Sequence, residues 1–335
     1  MDTVATVAFA RALIDIDSTT GQEGAAGEWL ASRLAQLGYL VERQPVSDGR
    51  FNVAARLDAP EVVLSTHFDC VPPFFASEVR GDVLFGRGSC DAKGILASQV
   101  AAVERLRAAG ERRVGMLFVV GEERGSDGAV VANARPPGCK FLINGEPTDN
   151  RLGRATRGIL RLKLIATGRA AHSSAPEHGE SAIDKLLDTL IRMRAIEWPS
   201  DPELGRTFYT IGLIEGGIAP NVISPSASAE VMFRITGPAD QVLERARREL
   251  EPMVAVEEVL RVPPVRLHTI DGIRTEVFPF TTDVPLLDRW GTPLLFGPGS
   301  FLTAHTDDEH VAIADLAAAV DGYTRIATAC LASRT

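Results

Sequence analysis

The stretch of sequence that decides the fold is Val62-Val63-Leu64-Ser65-Thr66-His67-Phe68-Asp69. Its first three residues form a short continuous apolar run, as expected for a strand buried on both faces of a parallel sheet. A second such run, Val114 to Val120, follows a helical stripe that ends at Gly110. Strand, helix and strand in this order predict an α/β layer with right-handed crossovers.

The middle of the chain has a different pattern. Alternating apolar residues and helical stripes predict, in chain order, strand, helix, strand, strand, helix and strand, with the last strand near residues 262–267. This β-α-β-β-α-β order is that of a ferredoxin-like unit, which we place at residues 158–268. Residues 1–157 and 269–335 then form one discontinuous α/β domain with a mostly parallel central sheet.

Length and composition exclude several classes of protein. The 335 residues allow about two domains, and fractions of 45% hydrophobic and 24% charged residues exclude a disordered chain or a disulfide scaffold. The net charge of −9 argues against nucleic acid or an anionic membrane as partner. No apolar run is long enough to span a membrane, and the first residues do not resemble a secretory signal. The four cysteines show no CxxC spacing, which predicts reduced thiols in a cytoplasmic protein.

Polar residues follow the predicted strands, where ligands bind in open α/β sheets. These loops deliver His67, Asp69, Asp91, Glu122, Glu123, Glu146 and His305. Two histidines and three carboxylates suit a pair of divalent ions about 3.5–4 Å apart that share one carboxylate. Nitrogen and oxygen ligands without thiolate suit zinc, with cobalt or manganese as substitutes. A further glutamate beside a ligand suits a general base that moves a proton from water to a leaving amine.

Five motifs lie in order along nearly the whole chain: His67-x-Asp69, Gly88-Ser89-Cys90-Asp91-Ala92-Lys93-Gly94, Glu122-Glu123, Gly145-Glu146-Pro147-Thr148 and Ala304-His305-Thr306-Asp307-Asp308-Glu309. Together they resemble the zinc-dependent aminoacylase and carboxypeptidase family. That family includes acetylornithine deacetylase, succinyl-diaminopimelate desuccinylase and glutamate carboxypeptidase. Each motif alone is a weak signal, whereas five in the family order are a strong one.

The resemblance implies a ligand set for two divalent metal ions, most simply zinc. Asp91 would bridge the two ions. Glu123 and His305 would complete one metal site, and His67 and Glu146 the other. The family also has a cis peptide bond directly after the bridging aspartate.

The resemblance implies roles for further residues. Glu122 would be the general base, and Asp69 would hold the imidazole of the first ligand in its metal-binding tautomer. His172, in Gly168-Arg169-Ala170-Ala171-His172-Ser173-Ser174, resembles a histidine that reaches the partner subunit's active site in family dimers and polarises the scissile carbonyl. Asn221, in the segment 216–223, and Arg234 resemble contacts to the substrate carboxylate.

The function implied by the resemblance is that of a metal-dependent amidohydrolase. It would remove a short N-acyl group from a small-molecule amino acid, with acetylornithine deacetylase as the most similar branch. The inserted domain would act as a lid and form a homodimer. A dipeptidase, a carboxypeptidase or a desuccinylase of the same family stays open, because segment 278–283 departs from the family pattern near the substrate.

Two hypotheses of a different class also stay open: a metal-binding regulator without catalysis, and a structural role for the metals. The intact Glu122 argues against the regulator, since binding alone needs no base. The spread of the ligands over strand-end loops along nearly the whole chain argues against the structural role, because a domain of this size needs no metal to fold.

Overall fold

The structure is a computed structural model that describes residues 1–333. Over these residues the α-helices are α1 (Thr3–Ile14), α2 (Gly24–Gln36), α3 (Lys93–Ala108), α4 (Asp127–Asn133), α5 (Ala182–Arg194), α6 (Ala239–Leu250) and α7 (Ile313–Ala332). Short 3₁₀ turns lie at Glu122–Arg124, Pro176–His178 and Val284–Leu286.

The strands, in chain order, are β1 (Leu40–Ser47), β2 (Arg50–Arg56), β3 (Val62–His67), β4 (Glu78–Arg80), β5 (Val83–Phe85), β6 (Val114–Val119), β7 (Phe141–Asn144), β8 (Leu152–Thr156), β9 (Gly158–Thr167), β10 (Ser200–Asp201), β11 (Gly205–Arg206), β12 (Phe208–Gly216), β13 (Ser226–Ile235), β14 (Ala255–Val262), β15 (Val265–Arg266), β16 (Thr275–Phe278), β17 (Thr292–Leu295) and β18 (His310–Ala312).

The chain forms two compact units. The first unit contains Met1–Arg154, Leu267–Glu276 and Thr282–Thr335, and the second contains Ala155–Arg266 and Val277–Thr281. In the part of the chain that the structure describes, no helix is long and apolar enough to cross a membrane.

A large mixed sheet is the centre of the first unit, with the strand order β1-β2-β6-β3-β7-β17-β8. The neighbours β6, β3, β7 and β17 run parallel, whereas β1, β2 and β8 pair antiparallel. The prediction of a mostly parallel sheet is therefore corrected: parallel pairing is confined to the central strands. The sequence contained the reason in Asp48-Gly49, a two-residue turn of the type that joins antiparallel strands. Gly49 adopts a positive φ of 71°, which glycine reaches without steric cost.

Strand β3 is buried along its whole length because its two faces contact different apolar clusters. Val62 and Leu64 belong to the cluster that contains buried residues of α1, α3 and α7. Val63 points to the opposite cluster, which includes Leu142 and Trp290. The prediction of a strand covered on both faces is thus confirmed. The polar residues after β3 begin where this strand leaves the core, so their position is fixed by its packing.

The second unit is built on an antiparallel sheet with the strand order β12-β13-β9-β14. Apart from the short strands β10 and β11, its elements follow the order strand, helix, strand, strand, helix, strand. Its last long strand is Ala255–Val262, so the predicted position of this strand, near residues 262–267, was wrong. Pro263-Pro264 ends that strand, because proline has no N–H for the ladder. Val265–Arg266 is a separate short strand that pairs with Ala155 and Thr156.

Candidate metal centre and active site

Three site loops leave the same edge of the first unit's sheet. β6, β3 and β7 are parallel neighbours, so their carboxyl ends lie side by side. β3 ends at His67, and Glu146 follows β7 after one intervening residue. Gly121 turns the chain after β6 with a φ of 77°, and a Cβ there would lie 2.0 Å from the Asp127 carboxylate. Glycine is therefore required at the turn that presents Glu122 and Glu123.

Asp91 lies between the two histidines. Its Oδ1 is 3.0 Å from His67 Nε2, and its Oδ2 is 3.3 Å from His305 Nε2. His305 Nε2 is also 2.9 Å from Glu123 Oε2. The ligand atoms of His67, Asp91 and Glu123 all lie within 4.8 Å of one another. One carboxylate that turns its two oxygens to two different imidazoles has the arrangement that a bridging metal ligand requires. The peptide bond after Asp91 is cis, as the resemblance implied.

The donor set fits divalent metal ions. Ligands about 2.0–2.1 Å from a tetrahedral ion lie about 3.3 Å from one another. The spacings of 3.3 Å from His305 to Asp91 and 2.9 Å from His305 to Glu123 are close to that edge length. Glu146 is 5% exposed, and its Oε1 has no hydrogen-bond partner among the residues that the structure describes. A buried carboxylate oxygen without a partner is costly, and a cation would satisfy it.

Asp69 holds the parts of the site together. Its carboxylate is fully buried, and Oδ1 lies 3.3 Å from His67 Nδ1. The same carboxylate accepts a hydrogen bond from the Thr20 hydroxyl at 2.9 Å. It also accepts the backbone N–H groups of Glu122 at 3.1 Å and Glu123 at 3.2 Å. Asp69 thus orients one imidazole and fixes the loop that carries the two glutamates.

The glutamates of the site hold protons more tightly than usual. Burial and the negative charges of Asp283, Glu123 and Asp91 hold the pKa of Glu122 well above its usual range. Burial, together with Glu122 and Asp91, does the same to the pKa of Glu146. The pKa of Glu123 is raised by burial and by Asp91. Full ionisation of these carboxyl groups is therefore unfavourable in the buried site unless a cation is present.

The pKa values of the two histidines are raised as well, because carboxylates surround them. Hydrogen bonds to Asp91 and Glu123 raise the pKa of His305 to about 10. Burial opposes protonation of His67, but Asp69 and Asp91 outweigh it and raise its pKa. Burial likewise opposes ionisation of Asp91, yet its contacts with both imidazoles lower its pKa. The metal-ligand cluster, formed by His67, Asp91, Glu123 and His305, thus favours positive charge. A divalent ion that binds there must displace protons from the imidazoles.

His172, Asn221 and Arg234, the other residues predicted to act in catalysis or substrate binding, lie in the second unit. His172 is exposed, and its Nδ1 is 2.8 Å from the Ser174 hydroxyl. Asn221 is exposed, and Arg234 is half-buried on β13, where burial lowers its pKa. Their functional roles stay predictions.

Residues 63–329 match the profile of Peptidase family M20/M25/M40. The chain belongs to this family. It is 37% identical over 373 residues to a probable carboxypeptidase of Aspergillus terreus, covering 97% of this chain and 86% of the relative. It is 36% identical to a peptidase M20 domain-containing protein of Schizosaccharomyces pombe, covering 96% of this chain and 83% of the relative. The resemblance to a metallopeptidase family is thereby confirmed.

The fold also matches that of a solved structure. A tripeptidase from Staphylococcus aureus superposes with a TM-score of 0.82 at 18% sequence identity, covering 98% of this chain and 99% of that chain. At this level of identity the similarity concerns the fold. The chain thus has a mixed α/β fold with a large central sheet.

Two buried carboxylates of the peptidase lie near the cluster and were not among the predicted site residues. Glu309 is fully buried and accepts the backbone N–H of Asp91 at 3.0 Å. Asp283 is 1% exposed, and burial raises its pKa to about 6. The sequence signals were weak: Glu309 closes the last motif, and Asp283 ends the segment that departs from the family pattern. Neither signal shows that the side chain is buried against the site.

The contacts of Asp69 predict that Asp69→Asn weakens metal binding about 10–100-fold, the usual effect of removing a group that orients a ligand. The amide loses the negative charge that faces His67 and weakens acceptance of the Glu122 and Glu123 N–H groups. The measurement is calorimetric titration of metal-stripped protein with Zn²⁺. Asp58→Asn is the matched control, since Asp58 is exposed and pairs with Arg112. An Asp69→Asn protein with the parent's zinc affinity would contradict the prediction.

Proposed function

We propose that the chain is a metal-dependent carboxypeptidase that cleaves the last amide bond of short peptides with a free C-terminal carboxylate. The observation that supports this most directly is the 37% identity, over 97% of the chain, to a probable carboxypeptidase. The same name is carried by further relatives at 34% identity over almost the whole chain. This similarity favours a carboxypeptidase over the acetylornithine deacetylase that the motifs implied. The two reactions hydrolyse the same bond and differ in the acyl side.

Metal ions would be held by the residues that surround Asp91. In the proposal, Asp91 is shared, Glu123 and His305 complete one site, and His67 and Glu146 the other. Two zinc ions, with cobalt or manganese as substitutes, would polarise the scissile carbonyl and make water a stronger acid.

Glu122 is the proposed general base and acid. Its backbone N–H donates to Asp69, and its neighbour Glu123 contacts His305. Glu122 itself is not one of the three residues, His67, Asp91 and Glu123, whose donor atoms converge. Because burial and negative neighbours raise its pKa, the carboxylate can take a proton from the attacking water and hold it. Glu122 then returns that proton to the departing amine, which prevents reversal of the cleavage.

Arg234 and Asn221 are proposed to bind the C-terminal carboxylate of the substrate. Arg234 has no ion-pair partner within residues 1–333, and its burial lowers the pKa of the guanidinium. A partly desolvated guanidinium without a carboxylate partner gains more from an incoming carboxylate than a solvated one does, and its fork matches the two oxygens.

The proposal predicts hydrolysis of dipeptides and tripeptides with a free C-terminus by protein that has been stripped of metal and reloaded with Zn²⁺. C-terminally amidated peptides should have kcat/KM values about 10–100-fold lower, because a charged hydrogen-bonded pair is lost. The panel includes N-acetyl and N-succinyl amino acids, with release of free amine as the readout. Turnover of N-acetyl amino acids alone would favour the deacetylase. Metal binding without turnover on any substrate would favour a regulator.

Glu122→Gln is predicted to lower kcat about 10²–10⁴-fold, the usual contribution of a general base. Zinc content should stay at the parent's level, because glutamine keeps the shape of the side chain and Glu122 is not a proposed ligand. The readouts are steady-state kinetics on the best peptide and metal analysis of the same samples. Glu28→Gln serves as control, since Glu28 is exposed and pairs with Arg43. A Glu122→Gln enzyme with the parent's kcat would refute the assignment.

We propose that the second unit is a ferredoxin-like lid that also forms a homodimer. β12 lies at the edge of its sheet and is largely exposed, which leaves a row of backbone groups available to another strand. Leu213 and Ile214 on β12 are 56% and 57% exposed, and Ile191 on α5 is 63% exposed. Exposed apolar side chains beside an open edge are typical of an interface between identical chains.

If His172 acts in the partner's active site, mixing two inactive variants should restore activity. His172→Ala should lower kcat about 10²–10³-fold, as for loss of an oxyanion donor. After subunit exchange with Glu122→Gln, half of the dimers are mixed and each has one complete site, so about a quarter of the parent's turnover should return. Mixing Glu122→Gln with His305→Ala is the control and should restore no activity. Both residues would serve the active site of their own subunit, so each site of a mixed dimer still lacks one of them. A His172→Ala mixture that stays inactive would show that the histidine does not act in trans.

A further inference from the structure

One oxygen of Glu309 accepts hydrogen bonds from the backbone of the loop that ends at Asp91. The side chain is fully buried in the first unit. Its Oε1 accepts three backbone hydrogen bonds, from Gly88 at 3.0 Å, Cys90 at 3.1 Å and Asp91 at 3.0 Å. Several N–H groups that converge on one carboxylate fix the loop's path, because each of them is buried and needs an acceptor.

The other oxygen of Glu309 is neutralised by Arg87. Arg87 Nη1 donates to Glu309 Oε2 at 2.7 Å, and both side chains are almost completely buried. Arg87 is itself fixed by donation from Nε to the Pro73 carbonyl at 3.1 Å, and its guanidinium lies over the Phe75 ring. The buried charge is therefore paired and hydrogen-bonded, as such a charge must be to persist.

The backbone of Glu309 is tied to the same loop. Its carbonyl accepts the N–H of Gly86 at 3.2 Å and the hydroxyl of Ser89 at 3.2 Å. Glu309 and Asp91 are separated by 218 positions in the sequence, yet they share a direct hydrogen bond. Glu309 also lies four residues after His305, whose Nε2 is 3.3 Å from Asp91 Oδ2.

We propose that Glu309 is a positioning residue that sets the separation of Asp91 and His305 for metal binding. It connects the loop that carries the shared ligand to the tail segment that carries the histidine. Loss of its charge leaves three buried N–H groups with a weaker acceptor and Arg87 without a counterion. The loop then relaxes, and Asp91 no longer directs one oxygen to each imidazole. This inference rests on the proposed function, because it takes Asp91 and His305 to be metal ligands.

The test compares Glu309→Gln, Arg87→Lys and the control Glu104→Gln by titration of metal-stripped protein with Co²⁺. The dissociation constant for Co²⁺ should rise about 10–100-fold in Glu309→Gln, the range found for groups that orient ligands. Arg87→Lys keeps the positive charge but not the fork, so the rise should be smaller. Glu104 lies on α3, the helix that begins after Asp91, and is partly buried. Its carboxylate accepts a hydrogen bond from the Tyr39 hydroxyl and pairs with Arg107. Its variant should bind Co²⁺ like the parent.

Two further readouts separate positioning from a merely structural role. The visible absorption spectrum of bound Co²⁺ reports the ligand geometry and should change in Glu309→Gln but not in Glu104→Gln. Thermal unfolding of the metal-stripped proteins reports stability alone. A Glu309→Gln protein that unfolds at a lower temperature yet has the parent's Co²⁺ affinity and spectrum would overturn the inference. If Glu309→Gln does not fold, Arg87→Lys decides by the same two Co²⁺ measurements.

The outcome for the proposed function is read separately, because Co²⁺ binding needs no substrate. A parent that binds Co²⁺ but hydrolyses no peptide would refute the proposed function, while a weakened Glu309→Gln site would still support the positioning role. A parent that hydrolyses peptides, together with a Glu309→Gln protein of unchanged Co²⁺ affinity, would refute the positioning role alone.

Discussion

Mutual repulsion among buried carboxylates is the constraint on which the rest of the site depends. Asp91, Glu122, Glu123 and Glu146 converge at one edge of the sheet, and burial with neighbouring charge raises the pKa of each of the glutamates. A folded chain tolerates such a concentration only if cations or protons balance it. The structure provides two imidazoles for this purpose, and the same atoms suit divalent ions. The groups that make the site electrostatically costly are thus the same groups that could hold a divalent ion.

The surrounding residues hold this charge in place by satisfying backbone groups. Asp69 accepts N–H groups from the loop of Glu122, and Glu309 accepts them from the loop of Asp91. Behind the first loop, Arg50 pairs with Glu23 at 2.7 Å and with Asp127 at 2.6 Å. Asp69, Glu309 and Arg50 are each a buried or half-buried charged residue that contacts residues far away in the sequence. The loops therefore have little freedom of their own, although they contain almost no regular secondary structure.

Much of this arrangement could be predicted from the sequence where local pattern and function coincide. The apolar run before His67 predicted a doubly buried strand, and the polar residues after β3, β6 and β7 predicted a site at one edge. The antiparallel flanks of the sheet were missed because Asp48-Gly49 was not recognised as a hairpin turn. The last strand of the second unit was misplaced because Pro263-Pro264 follows it. Glu309 and Asp283 could not be assigned, since burial and long-range pairing leave no periodic signal in one sequence.

The discontinuity of the first unit explains how proposed ligands from distant parts of the chain can share one site. Most of the chain between β8 and β17 belongs to the second unit. Both strands lie in the same sheet, where Gly153 pairs with Leu295. Loop-closure entropy grows slowly with length, at about 0.6 kcal/mol for each doubling, so a long insertion between adjacent strands costs little. Once β17 has paired beside β7, the tail that follows it brings His305 and Glu309 to the loop of Asp91. Strand pairing therefore brings His305, a proposed ligand, to the loop of Asp91. The hydrogen bond from the Asp91 N–H to Glu309 joins that loop to the tail, where His305 contacts Asp91 and Glu123.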